Sequence, residues 1–300
     1  MVTWSELEKQ LFATISEIPF EIIMGKDLFL KPCSNPYYRC EHTSHKGHIR
    51  TGNEDRIAVR EFSAANPNET PVLLAVLADG VGGHRAGEIA AQIGVNTIID
   101  TFSACRNLLQ PERLLEKAIQ KANQQVLAHT TVHPETKGMG ATCICVLLIS
   151  NQLYLANLGD SRAYILRGGD FKQASFDHTW FADASDLIAP EMKEKIGRNH
   201  PMSHILTRYL GSAHPVNVDL RIRLGTHESD LDLRKNQGKY MKSGDCVLLC
   251  SDGLTDMLDD STIEKLVVKK SLKNAAQTLL QAALDAGGFD NISLILIQFP

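Results

Sequence analysis

Apolar runs that stop at a carboxylate recur along the 300 residues of this chain. Val72-Leu73-Leu74-Ala75-Val76-Leu77-Ala78 ends in Asp79-Gly80-Val81-Gly82-Gly83, and residues 153–158 end in Gly159-Asp160-Ser161-Arg162. Residues 246–251 run into Asp252-Gly253, and Gly287-Gly288-Phe289-Asp290-Asn291 leads into residues 292–297 from the other direction. Short continuous apolar runs bounded by glycine predict buried strands. Further strands are expected at 58–59, 141–149 and 162–167, the last ending at Gly168-Gly169. A tight turn at Asn151 makes 141–149 and 152–158 antiparallel, since a parallel return needs a crossover of about a dozen residues. The apolar spacing of 88–102, 111–129, 261–268 and 272–286 predicts helices, with Pro111 suited to a first turn. Helices and antiparallel strands in this order predict an α+β fold in which sheet packs on sheet with helices outside.

Two regions break the pattern. In the first 43 residues, Leu7, Leu11, Ile15 and Ile18 predict a short amphipathic helix, and Pro32, Pro36, Tyr37 and Tyr38 an extended connector. We divide the chain into this extension, 1–43, and one domain over 44–300. Residues 170–215 form a polar excursion of the kind that flaps and binding loops occupy, with helical pieces expected at 190–196 and 203–210. A second polar loop is expected over 225–244.

Composition narrows the class. The net charge of −4 gives no electrostatic case for nucleic acid or an anionic membrane. No run approaches the roughly 20 apolar residues of a membrane span, and the first ten residues lack the basic-then-apolar shape expected of a secretion signal. The seven cysteines are odd in number, and Cys143, Cys145, Cys246 and Cys250 sit in strand runs as core residues, so a cytoplasmic, reducing location is expected. Cys33 and Cys40 with His42, His45 and His48 match no common zinc spacing.

The chemistry lies at the strand ends. Asp79, Asp160, Asp252 and Asp290 come from distant segments, and oxygen ligands converging from several elements suit hard divalent cations. Arg50-Thr51-Gly52-Asn53-Glu54-Asp55-Arg56 adds a carboxylate pair and an arginine, whose planar fork matches phosphate. Two ions about 3.5–4 Å apart clamp and acidify a water for in-line attack. Metal-assisted phosphate-ester hydrolysis is the physical reading.

Six segments in order carry a resemblance: 50–55; 79–83 with Gly87-Glu88; 138–142; 159–163; 251–256; and 288–293. Together they resemble the motifs of the type-2C metal-dependent (Mg/Mn) serine/threonine protein phosphatases over about residues 44–299. Gly82-Gly83 and Leu206-Thr207-Arg208-Tyr209-Leu210-Gly211 are closest to the bacterial branch. The resemblance implies a four-layer α-β-β-α sandwich of two antiparallel sheets flanked by helix pairs, with 170–215 as the flap. It implies that Asp79 bridges two Mn²⁺ or Mg²⁺ ions, that the Gly80 carbonyl binds one of them, and that Asp252 and Asp290 complete the second. Glu54 and Asp55 would hold the first ion largely through water. Asp160, with Asp252 and Asp256, would serve a third ion; Asp256 reads equally as a cap on the following helix. Arg50 would grip the substrate phosphate and act with Asp79 in catalysis, while Asn291 would orient the site from behind. Arg162 reads as a local ion-pair partner.

The implied function is hydrolysis of phosphoserine and phosphothreonine in signal transduction, by a monomer that reverses a cognate kinase. A catalytically silent phosphoprotein-binding relative and a hydrolase of small phosphoesters are the alternatives. Val81 stands where many eukaryotic members carry a histidine thought to protonate the leaving oxygen. A metal-bound water is the expected donor in its place, and His84 is left out of the site.

Overall fold

The computed structural model describes residues 30–33, 36–64, 69–82, 86–184, 204–268 and 270–300. The helices expected at 7–18 and 190–196, and His84, lie outside the described residues. In chain order the elements are β1 (Leu30–Pro32), β2 (Arg39–His45), β3 (Arg56–Ala64), β4 (Thr70–Ala78) and β5 (Gly80–Val81), then α1 (Ala86–Ser103) and α2 (Pro111–Val132). β6 (Gly140–Ala141), β7 (Cys143–Ile149), β8 (Gln152–Leu158), β9 (Arg162–Arg167) and β10 (Asp170–Gln173) follow, then α3 (Trp180–Ala184) and α4 (Asp230–Lys235). The chain closes with β11 (Lys239–Tyr240), β12 (Cys246–Cys250), α5 (Asp252–Thr255), α6 (Asp260–Val267), α7 (Leu272–Asp285) and β13 (Ile292–Gln298).

Two antiparallel sheets form, in the orders β1-β3-β4-β7-β8-β11 and β10-β9-β12-β13-β2, with β5-β6 as a small separate pair. Alternation along each strand sorts its residues onto two faces. Leu73, Ala75 and Leu77 of β4 and Ile144, Val146 and Leu148 of β7 meet Val247 and Leu249 of β12 and Ile295 and Ile297 of β13 in an inner core. The alternate residues of β4 and β7, Cys143 and Cys145 among them, pack under α1 and α2. Those of β12 and β13 pack under α6 and α7. The layers are therefore helices, sheet, sheet, helices, as expected from the sequence. Each fully buried Leu, Ile or Val contributes about 1.5–3 kcal/mol, so the inner core rigidly fixes the separation of the sheets.

Local chemistry sets the ends. Pro111 occupies the first turn of α2. Asp259, not Asp256, caps α6, its side chain accepting from the Thr262 N–H at 2.7 Å. Gly168 and Gly169, with φ of 60° and 94°, turn β9 into β10, so the strand expected to stop there is half of a hairpin.

Three expectations are corrected. The connector before residue 44 holds β1, paired with β3, and β2, paired with β13, so both sheets take strands from the expected extension. Tyr38 between them is buried in the inner core. Residues 205–210 form no helix; Leu206 bridges to Thr179 and Leu210 to Ala141. The loop expected over 225–244 contains α4, fixed by a Ser229–Asp232 capping box, and β11.

Candidate metal centre

Strand register brings the carboxylates together. β3 and β4 pair with Arg56 opposite Ala78, so one step further Asp55 faces Asp79. Both continue the rows of side chains that enter the inner core. On the other sheet β12 pairs with β13, Cys250 opposite Leu294. Asp252 opens α5 just after β12, and Asp290 stands just before β13. The ends of two sheets thus present acid to a common space.

Like charges crowded at the rim of a core resist ionisation. Burial, then the charges of Asp55 and Asp252, hold the Asp79 carboxyl well above its ordinary range. Burial pushes Asp55 up to about 7, although hydroxyl groups of Ser293 and Ser251 oppose it; Ser251 Oγ donates to Asp55 Oδ2 at 2.8 Å. Asp160 is raised well above its usual range by burial and by the Asp252 charge, and Asp252 by burial and Asp290. Asp256 reaches about 6 through burial and Asp252. Asp55 Oδ1 and Asp252 Oδ1 are buried with no hydrogen-bond partner. A buried carboxylate oxygen that meets no donor is costly, and a hard cation satisfies several at once. The donor set fits Mn²⁺ or Mg²⁺.

The remaining predicted residues surround this cluster. A side chain on Gly80 would overlap Gly87 and the Glu54 carbonyl, so only glycine lets the backbone after Asp79 lie this close to the Glu54 segment. Asn291 ties the segment down: its Oδ1 accepts from the Glu54 N–H at 2.7 Å, and its Nδ2 donates to the carbonyls of Lys46 at 3.0 Å and Gly52 at 2.9 Å. Arg50 reaches over the rim, Nη2 2.6 Å from Asp290 Oδ2, with its side chain 58% exposed. An ion pair so exposed is weak, which leaves the guanidinium available to a phosphate. Arg162 pairs locally, as expected, with Asp177 through Nε at 3.0 Å and Nη2 at 2.6 Å.

Asp160, Asp252 and Asp256 line a pocket of about 300 Å³ beside this cluster, together with His204. His204 was not among the predicted residues; it arrives from the excursion, and nothing in local spacing announces it. His178 was also missed. It is buried, accepts the Gly159 N–H on Nδ1 at 3.1 Å, and so turns a protonated Nε2 to Asp219 Oδ2 at 3.2 Å. Burial alone would raise the Asp219 carboxyl, but the bonds from His178 and Arg221 hold it well below its usual range. This network supports Gly159, whose φ of 115° and close approach to Thr142 aim Asp160 into the pocket.

Comparison with known proteins agrees with this geometry. Residues 46–286 match the sequence profile of protein phosphatase 2C. The chain belongs to the protein phosphatase 2C family. It is 32% identical over 262 residues to the serine/threonine phosphatase stp of Listeria welshimeri, covering 86% of this chain and 94% of that one. The serine/threonine phosphatase of S. agalactiae has a similar structure, with a TM-score of 0.73, 28% identity and coverage of 88% of this chain and 100% of that one. The catalytic domain of the serine/threonine phosphatase PstP, solved in complex with two manganese ions, is similar at a TM-score of 0.67, 28% identity and coverage of 87% and 97%. The α+β sandwich, the phosphatase class and dependence on Mn²⁺ or Mg²⁺ expected from the sequence are borne out.

Proposed function

We propose that this phosphatase removes phosphate from phosphoserine and phosphothreonine in proteins at the carboxylate cluster, with Arg50 as the phosphate contact. The observation that carries the reading is the pair of buried, partnerless oxygens, Asp55 Oδ1 and Asp252 Oδ1, at strand ends of opposite sheets. Asp79 and the Gly80 carbonyl, with Asp252 and Asp290, would hold two Mn²⁺ or Mg²⁺ ions; Glu54 and Asp55 would complete the first from behind water. Bound ions supply positive charge and lower the pKa of water.

The chain's own groups do the rest. Arg50 offers two parallel N–H donors to nonbridging phosphate oxygens, which orients phosphorus toward the cluster. Asn291 keeps the 46–54 segment, and with it Arg50 and Glu54, in register with Asp290. Water replaces the serine or threonine oxygen on phosphorus, and that oxygen leaves as the alcohol. Val81 has no proton to give, so the leaving oxygen would take its proton from water, which the bound ions would acidify.

Phosphoproteins are the substrates, and a cognate serine/threonine kinase is the partner we infer. A cytoplasmic monomer suits seven cysteines that form no disulfide among the described residues and the net charge of −4; no described helix is long and apolar enough to cross a membrane. Turnover of p-nitrophenyl phosphate with and without Mn²⁺ tests the reading, and activity that survives full chelation would overturn it. A phosphothreonine peptide hydrolysed no faster than free sugar phosphates would favour the small-phosphoester alternative. No turnover with any divalent ion would leave a binding module.

A further inference from the structure

His204, Asp252 and Asp256 each offer one ligand atom, and these atoms all lie within 4.8 Å of one another. His204 Nδ1 stands 3.8 Å from Asp256 Oδ2, too far for a hydrogen bond. With metal–ligand bonds of about 2.1 Å, two ligands of one octahedral ion stand about 3 Å apart when adjacent and about 4.2 Å when opposite. The 3.8 Å between His204 and Asp256 falls in that range, and a small side-chain rotation brings the 4.8 Å limit on the other pairs into it. A second observation points the same way: within this group Asp252 Oδ1 is buried and meets no hydrogen-bond donor. The group lines a pocket of about 300 Å³, large enough for an ion and its remaining waters.

We propose that His204 is a nitrogen ligand of the ion held by Asp252 and Asp256, and that it makes this third position prefer Mn²⁺ and its first-row neighbours over Mg²⁺ and Ca²⁺. The inference rests on the reading of Asp252 as an ion ligand. An all-oxygen position takes Mg²⁺ and Mn²⁺ alike, whereas imidazole adds affinity for the transition ions and little for the alkaline-earth ions. Ligation would also fasten the excursion to α5. The segment after His204 is already bonded to 178–180, with the Trp180 N–H on the Ile205 carbonyl at 2.8 Å and the Thr207 N–H on the His178 carbonyl at 2.9 Å. An ion on His204 would close that connection onto the catalytic cluster.

The test uses the full chain stripped of metal and titrated with Mn²⁺, free ion being followed by electron paramagnetic resonance, and in parallel with Mg²⁺ by calorimetry. The wild type should bind a third, weaker Mn²⁺ whose pulsed spectrum carries nitrogen modulation. His204→Ala should lose that modulation and weaken the third Mn²⁺ by about tenfold or more, while Mg²⁺ binding changes by no more than about twofold. His204 is 44% exposed on its side chain, and His204→Gln serves as a second variant that preserves bulk. Two Mn²⁺ bound and no third would overturn this inference and leave the two-ion centre standing. Equal losses for Mn²⁺ and Mg²⁺, or a third ion without nitrogen modulation, would also overturn it. Binding of no Mn²⁺ at all would overturn both readings.

Discussion

Replacing Asn291 with alanine should cost this phosphatase more stability than its small size suggests. The side chain is 4% exposed and makes three hydrogen bonds to backbone groups of one segment, at 2.7, 2.9 and 3.0 Å. Each such bond contributes about 1 kcal/mol net, and truncation removes all three at once. The three together give about 3–4 kcal/mol, a large share of the roughly 5–15 kcal/mol that holds a domain folded. For a chain of this length that corresponds to about 6–16 °C in melting temperature. The same change frees the segment that carries Arg50 and Glu54, so substrate affinity should fall as well. Urea denaturation of the metal-free and Mn²⁺-loaded protein, with steady-state kinetics on a phosphothreonine peptide, measures both effects. Asn291→Asp keeps the acceptor for the Glu54 N–H but turns an anion on two carbonyls, and should be no better than alanine. A loss under about 1 kcal/mol with an unchanged KM would refute the idea that these bonds anchor the segment.

Asp79→Asn should lower turnover by orders of magnitude yet raise the melting temperature in chelator, because one of the crowded charges is gone; full activity would remove Asp79 from the bridging role. Arg50→Ala should chiefly raise KM, as loss of ground-state binding does, and a fall confined to kcat would place Arg50 in the transition state instead. In chelator, stability should also depend on pH. The folded Asp55 carboxyl, at about 7, lies above its unfolded value of 3.8. Its contribution is therefore complete below about pH 4 and is lost as pH rises through about 7. Thermal melts from pH 4 to 8 in chelator should decline across that window, and saturating Mn²⁺ should abolish the decline. A melting temperature that rises from pH 5 to 8 in chelator would contradict the raised carboxyl.

Much of the site was readable because its residues interrupt strong patterns. An apolar run through Ala78 that halts at Asp79-Gly80 signals both a strand and its end, and β8 and β9 begin and end where expected. The strands that escaped carry no such signal. β2 reads Arg-Cys-Glu-His-Thr-Ser-His; it lies at a sheet edge, and its pairing is decided by β13. β1 is short and lies at an edge of the other sheet. Residues 206–210 misled because leucines four apart resemble one face of a helix. Here Leu206 and Leu210 each bridge to a different, distant segment. His178 and His204 owe their places to long-range packing, which no local spacing encodes.

The inner core has a bearing on catalysis that its distance from phosphate would not suggest. Leu77 packs two residues before Asp79, and Leu249 three before Asp252, within the layer that separates the sheets. The thickness of that layer acts as a gauge block for the acidic groups, because each sheet carries its own share of them. Trimming Leu77 or Leu249 would reset the gap between cation partners from within, and a metal preference could drift without any change in the residues that touch the metal.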